Sequence, residues 1–244
     1  MKLYILENAP RFSGFVEEAD SAGGGASSRV DRFVAGTPAD VRESVRVRIH
    51  YAARKPWPLP DLCRGERLLF ASERAKTIIE RHFGIHVSFA PVDIIGFGVD
   101  DGRLWQAAPR EASPFGELPR YHVVHVTHTA DVLDETRSMI FRDSIGELPQ
   151  LLPVGQFECM AFDRGAEIPP VFAMPYHAGL AVFSTAFIDV LKREQLTGLK
   201  PVEAFDSDVD AVFEGDEAEA ALVSLREARH IAAALESSED RSVS

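Results

Sequence analysis

Three histidines, His122, His125 and His128, stand three apart in the stretch YHVVHVTHT. On a helix they would share a face and could ligate a metal. The valines between them favour a strand, where His122 and His128 point to one face and His125 to the other. Such a strand gives no metal site from these three alone. His82 and His86 have the spacing of a zinc-binding helix pair, but Phe83 stands where that pattern needs glutamate and Gly84 interrupts the helix between them. Asp131, Asp134 and Glu135 make a carboxylate cluster suited to acid–base work, with no partner that the spacing fixes. Ser144, in RDSIG, lacks the G-x-S-x-G elbow. Gly-Phe-Gly at 96–98 lacks the third glycine and the following helix of a dinucleotide loop.

The densest acidic pattern is DSDVDAVFEGDE, Asp206–Glu217, with acids at positions 1, 3, 5, 9 and 12 of a calcium-type loop. Its sixth position, where the turn needs glycine, is Ala211, and the preceding segment reads as a strand rather than an entering helix. The other reading is an acidic loop before a helix whose negative N-terminal residues suit the helix dipole. No cofactor and no metal is expected from any of these groups.

The elements that would position them are clearest at Gly179–Phe205. Leu180–Phe183 is an apolar run of strand length, Ser184 a helix cap, and Phe187, Ile188, Leu191 and Gln195 recur at helical spacing. Gly198 supplies a stop and Leu199–Val202 returns as a strand. The same unit is expected at Leu68–Val92, with Ser72 as cap, Ala75, Ile78 and Ile79 inward and Gly84 as stop. The cap serines are 112 positions apart (184 − 72), whereas Pro91 and Pro201 are 110 apart, which implies a two-residue gap between copies.

Around these units, Lys2–Leu6, Tyr121–Thr127, Gln156–Phe162 and Val171–Met174 read as strands. In Val41–Tyr51, Val45, Val47, Ile49 and Tyr51 alternate with Arg46, Arg48 and His50, giving a half-buried strand with a basic outer face. Ala19–Ser28 is a Gly/Ser-rich loop, and Lys55–Leu62, with three prolines, is a linker in which Trp57 is expected to pack. Ile94–Trp105 reads as a hairpin turning at Asp101-Gly102. Asp216–Leu235 carries the 3-4 pattern of a final helix. The fold class is therefore α+β: a mixed, largely antiparallel sheet with two or three packed helices and a possible internal strand–helix–strand repeat. Three segments follow: 1–62, a β-rich stretch and Pro-rich linker; 63–205, the α+β core; and 206–244, the acidic loop and C-terminal helix. Together they form one compact unit. Phe70, Ile78, Ile79, Val123, Phe157, Phe183, Phe187 and Leu191 are expected inside.

At 244 residues and 45% hydrophobic, the chain can bury a core without disulfides or metal. Cys63 and Cys159 have no paired spacing. The net charge is −12, and Glu203–Asp240 holds twelve acids against Arg226 and Arg229. That field repels nucleic acid and anionic membrane and steers basic partners. No signal segment or apolar span is read, so the cytoplasm is the expected compartment.

Tyr121–Ser138, YHVVHVTHTADVLDETRS, resembles the Tyr-x-Val-x-x-Val…Asp-x-Leu-Asp-x-x-x-Ser segment of a bacterial immunity family. The likeness continues through PVFAM (Pro170–Met174), Val182–Ser184 and LTGLKPV (Leu196–Val202), and spans Leu68–Phe205. The family is family eleven of the polymorphic-toxin immunity proteins, a former domain of unknown function with a myxobacterial type member. His125 stands where that family more usually has asparagine. The resemblance implies a non-catalytic cytoplasmic protein that binds and neutralises a cognate secreted toxin encoded beside it, in bacterial competition. On that reading Tyr121, Asp131, Asp134 and Ser138 are structural, and Asp206, Asp208, Asp210 and Glu214 meet the toxin by imitating an acidic substrate. Two other classes stay open: a small cytosolic enzyme of unknown reaction with a pocket around Asp131–Ser138, and a calcium-responsive binding module.

Overall fold

The computed structural model describes residues 1–10, 12–17, 45–52, 56–65, 68–100, 105–141, 157–174, 181–206, 211–212, 222–231 and 234. The architecture is α+β, built from strands that are mostly antiparallel.

Two copies of one unit organise it. In the first, strand β5 (Leu69–Ser72) leads into helix α1 (Glu73–Phe83) and then strand β6 (Val87–Asp100). In the second, β12 (Ala181–Ser184) leads into α2 (Thr185–Arg193) and β13 (Leu199–Asp206). The strands β5 and β12, the helix starts and the first residues of β6 and β13 are all 112 apart (181 − 69, 185 − 73, 199 − 87), so the expected gap is absent. The sheet registers agree. Pro91 lies opposite His122 and Glu203 opposite Tyr4, each one residue past the strand partner of a cap serine. The two prolines are therefore not equivalent; Glu203 is the counterpart of Pro91.

The two strands of each unit do not touch. β8 (Tyr121–Val126) lies antiparallel between β5 and β6, and β1 (Lys2–Asn8) lies antiparallel between β12 and β13. A short strand flanks each unit: β4 (Leu62–Arg64) pairs β5, and β11 (Val171–Ala173) pairs β12 in the matching register. The inserted strands then cross over. Beyond β8, Thr129 bridges Ala173 of β11. At the end of β1, the Asn8 amide bonds both backbone groups of Arg64 on β4, at 2.6 and 2.7 Å. Each unit is thus tied to the other through the strand that completes its sheet.

The helices form for the reasons their sequences suggest. Ser72 Oγ accepts from the Ala75 amide at 3.2 Å, while Ser184 takes the cap position without such a bond. Phe83 of α1 meets Phe187 of α2 with ring centroids 4.9 Å apart, and Phe187 meets Phe183 at 4.7 Å. α1 and α2 with the sheet faces beneath them share one core, which includes Ile78, Ile79, Ile188 and Leu191. Each such buried side chain contributes about 1.5–3 kcal/mol of transfer free energy. Gln195 is not part of this face: α2 has ended, and Gln195 is exposed at φ 53°. Of the expected core residues, all but Phe157, whose side chain is outside the described set, are buried.

β6 is long and extends into a second region. There β3 (Val45–Ala52) runs parallel to it, β2 (Gly14–Glu17) pairs β3, and β7 (Trp105–Pro109) pairs β6 as the expected hairpin. Val45, Val47, Ile49 and Tyr51 point into a core with Phe15, Phe70 and Phe97. The expected Asp101-Gly102 turn lies outside the described residues. A last sheet joins β14 (Ala211–Val212), β10 (Phe157–Met160), β9 (Met139–Phe141) and β15 (Leu222–Ser224) in that order.

The final helix begins later than its 3-4 pattern predicts. Leu222, Val223 and Ser224 are strand, paired with Phe141, Ile140 and Met139, and the helix α3 begins at 225, with 225–231 and 234 its described residues. Pairing with β9 outweighs helical propensity at Leu222 and Val223, and Ser224 Oγ then caps the Glu227 amide at 3.2 Å. Trp57 also departs from expectation: it is 39% exposed, while its carbonyl accepts from Ser13 Oγ. Cys63 and Cys159 are reduced thiols, the former buried.

Candidate functional site

Among the described residues, polar side chains gather in four separate places. The first is the seam between the units, built around Asp61. Its Oδ2 accepts from the Thr197 amide at 3.0 Å, from Thr197 Oγ1 at 2.9 Å and from Arg74 Nη1 at 2.8 Å. Its Oδ1 faces Ser72 Oγ at 3.3 Å. Arg74 reaches on to the Glu194 carbonyl at 2.6 Å, at the end of α2. Asp61 thereby joins the start of β4, the cap of α1 and the entry to β13. Tyr121 hydroxyl donates to the Pro60 carbonyl beside it. Burial, with Cys63 and Asp61 nearby, holds that phenol far above its ordinary range. Nothing in the spacing of Asp61, Arg74 and Thr197 announces this cluster, because its members come from different units.

The second place is the Asp131–Ser138 turn, where the structure does bring the predicted carboxylates together. Asp134 Oδ1 accepts from Thr136 Oγ1 at 2.6 Å and from the Thr136 amide at 2.9 Å, and Oδ2 accepts from Arg137 Nε at 2.8 Å. Arg137 continues to the Phe162 carbonyl at 2.7 Å. Arg229 of α3 meets Asp131 at 3.1 Å and also pairs with Glu135. Ser138 is fully buried and exchanges bonds with both backbone groups of Ala161. The cluster works as a clamp that holds β10 and α3 to the turn.

The bonds from Thr136, then Arg137, hold the Asp134 carboxyl well below the usual carboxylate range. A carboxyl depressed in the folded state adds stability above its unfolded value, about 3.9, and loses it as pH falls further. Asp134→Asn is therefore expected to melt lower than the native chain at pH 7, with the difference shrinking below about pH 4. A melting-temperature difference that stays constant with pH would show that Asp134 does not carry this linkage.

The histidines form the third group, and they are dispersed. His122 Nε2 lies 2.7 Å from Glu73, and that bond lowers the glutamate's proton affinity. His125, on the opposite face of β8, lies with Nδ1 3.2 Å from Ser88 Oγ. His128 packs edge-on to His86, centroids 5.2 Å apart. Burial lowers the proton affinity of His86 and His125, so both favour the neutral ring at pH 7. Among the described residues no group of three His, Cys, Asp or Glu is placed to hold a metal.

The fourth place is charged surface. On β3, Arg46, Arg48 and His50 point outward as expected, opposite Asp93, Gly96 and Gly98 of β6. A methyl added at Gly98 would fall 2.5 Å from the His50 ring, and one at Gly96 would fall 3.0 Å from the Arg48 guanidinium. The glycines thus give the two basic side chains a floor to lie across, a role quite unlike a phosphate loop.

Of the four acids expected to meet a partner, Asp206 ends β13 and pairs with the Met1 ammonium at 3.2 Å, next to a Lys2–Glu203 pair at 2.6 Å. Asp208, Asp210 and Glu214 lie outside the described residues. The calcium-loop geometry meets an obstacle. Ala211 and Val212, its sixth and seventh positions, form β14 against Met160 and Cys159, where such a loop needs a sharp turn.

What the fold and these sites define is a protein of two interlocked strand–helix–strand units whose clustered polar side chains tie those units and their neighbouring strands together. No protein-family model matches the chain, and no curated protein matches it. Among the described residues no helix is long and apolar enough to cross a membrane.

Proposed function

We propose that this chain is an immunity protein that binds and neutralises a cognate bacterial toxin encoded beside it, acting in the cytoplasm and without catalysis of its own. The observation that carries the reading is the use made of its polar clusters. Asp61, Asp134, Ser138 and Tyr121 each bond to the protein's own backbone or side chains, as a rigid binding scaffold requires. A catalytic carboxylate would instead be aimed at a substrate. The charge pattern supports the same reading, since twelve acids against two arginines in Glu203–Asp240 suit an acidic, substrate-imitating interface for a basic partner.

In this reading Asp206, Asp208, Asp210 and Glu214 face the toxin. Co-expression with the neighbouring gene product tests it: the neighbour is expected to arrest growth alone, and this chain to restore it. Reversal of all four acids to lysine is expected to weaken binding by at least about 100-fold and abolish protection, because each like-charge contact opposes association. Protection that survives the fourfold reversal moves the interface elsewhere. A harmless neighbour removes the neutralising function itself.

A further inference from the structure

A cavity of about 360 Å³ opens between α2 and β13. Leu62, Ile188, Leu191, Leu199 and Pro201 wall it, and Lys192 is the charged residue in its lining among the described residues. The internal repeat shows what fills such a space. The shift of 112 positions sets Phe89 against Pro201 (201 − 89), and the registers agree: Phe89 lies opposite Val124 on β8 and Pro201 opposite Leu6 on β1. Val124 and Leu6 each stand three residues past the strand partner of a cap serine. In the first unit the Phe89 ring packs toward α1, with Lys76 Nζ 6.0 Å from its centroid. In the second unit a proline replaces that benzyl group, and the space beneath the helix stays open. Its volume falls in the range, roughly 300–1,000 Å³, of sites that hold small ligands.

We propose that this cavity is a binding site for a small monocyclic aromatic carboxylate. The ring takes the place that Phe89 fills in the first unit, and the carboxylate meets the exposed ammonium of Lys192. The apolar walls supply the burial, and the lysine selects the anion. This site stands apart from the neutralising function proposed above and can be present with or without it.

The test is a methyl-detected NMR titration of the full chain with 3-phenylpropionate, and with 3-phenylpropanol as the uncharged counterpart. Saturable shifts are expected at the methyls of Leu62, Ile188, Leu191 and Leu199. Lys192→Gln is expected to weaken binding by about two- to fivefold, the worth of an exposed ion pair. Pro201→Phe, which restores the first unit's residue, is expected to abolish binding and raise the melting temperature. Leu196→Phe, at the half-buried lip, is a second filling variant should the first fail to fold. The proposal is overturned by the absence of saturable shifts at those methyls, by binding that survives both filling variants, or by equal binding of the alcohol.

Discussion

Gly198→Ala is expected to destabilise the protein by at least about 3 kcal/mol, more than the same change at any other described glycine. Gly198 sits at φ +102°, a region that L side chains avoid. An added Cβ would lie 2.1 Å from the Leu62 carbonyl oxygen and 2.2 Å from Pro60 Cβ. That carbonyl cannot retreat cheaply. Leu62 is fully buried, its amide donates to Thr197 at 2.9 Å, and its strand is paired to β5. The close approach is where the two units touch, so relief of the clash means opening the seam. Gly116→Ala is the control: φ is +71° there, with nothing within 4 Å of an added methyl. It is expected to cost only the backbone term, about 1 kcal/mol. Urea unfolding of both variants checks the pair, and equal costs would mean that the seam yields easily.

Asp61→Ala comes next, with an expected loss of about 3 kcal/mol. The substitution removes the acceptor shared by Thr197, Arg74 and Ser72 and strands donors drawn from both units. The Asp61 side chain is 15% exposed while that of Arg74 is 52% exposed, so most of the effect comes from Thr197 and little from the ion pair. Arg74→Ala alone is accordingly expected to cost under about 1 kcal/mol. Thr197→Val should recover much of the Asp61 effect, and a double-mutant cycle between them should show coupling of about 1 kcal/mol or more. Additive losses would contradict the interlock.

Much of this was legible from local pattern. The cap serines, the apolar faces of α1 and α2, and the alternation of β3 are short-range signals, and the structure follows them. The repeat was visible too, but the prolines misled its alignment. Pro91 and Pro201 look alike in sequence, whereas sheet pairing sets register by what lies opposite, and that places Glu203 with Pro91. The entry of β1 between β12 and β13 left no local trace. It pairs Leu3 with Ser184 and Phe205 across most of the chain, and nothing in KLYIL specifies that destination. The same holds for β15, where the helical pattern of Leu222 and Val223 is overridden by a partner strand far away in sequence.

The polar sites divide in the same way. Clusters close in sequence, such as Asp131 to Ser138, were found as clusters, though their bonds turn inward to Ala161, Phe162 and Arg229. The Asp61 hub was not found, because its three partners lie 11, 13 and 136 residues further along the chain. A lone aspartate before a strand carries no mark of such a role. Strand alternation separated His125 from His122 as expected of a period of two, whereas His128 lies past the end of β8, beyond the reach of that alternation.

The central claim is that this chain acts by binding one protein partner, the toxin encoded next to it. The most direct test mixes the two purified proteins and measures complex formation by calorimetry with size-exclusion chromatography. The account predicts a discrete complex of nanomolar or tighter affinity, with the toxin's activity lost at equimolar addition. Two proteins that elute separately and exchange no heat, with the neighbour's activity unchanged, would contradict it.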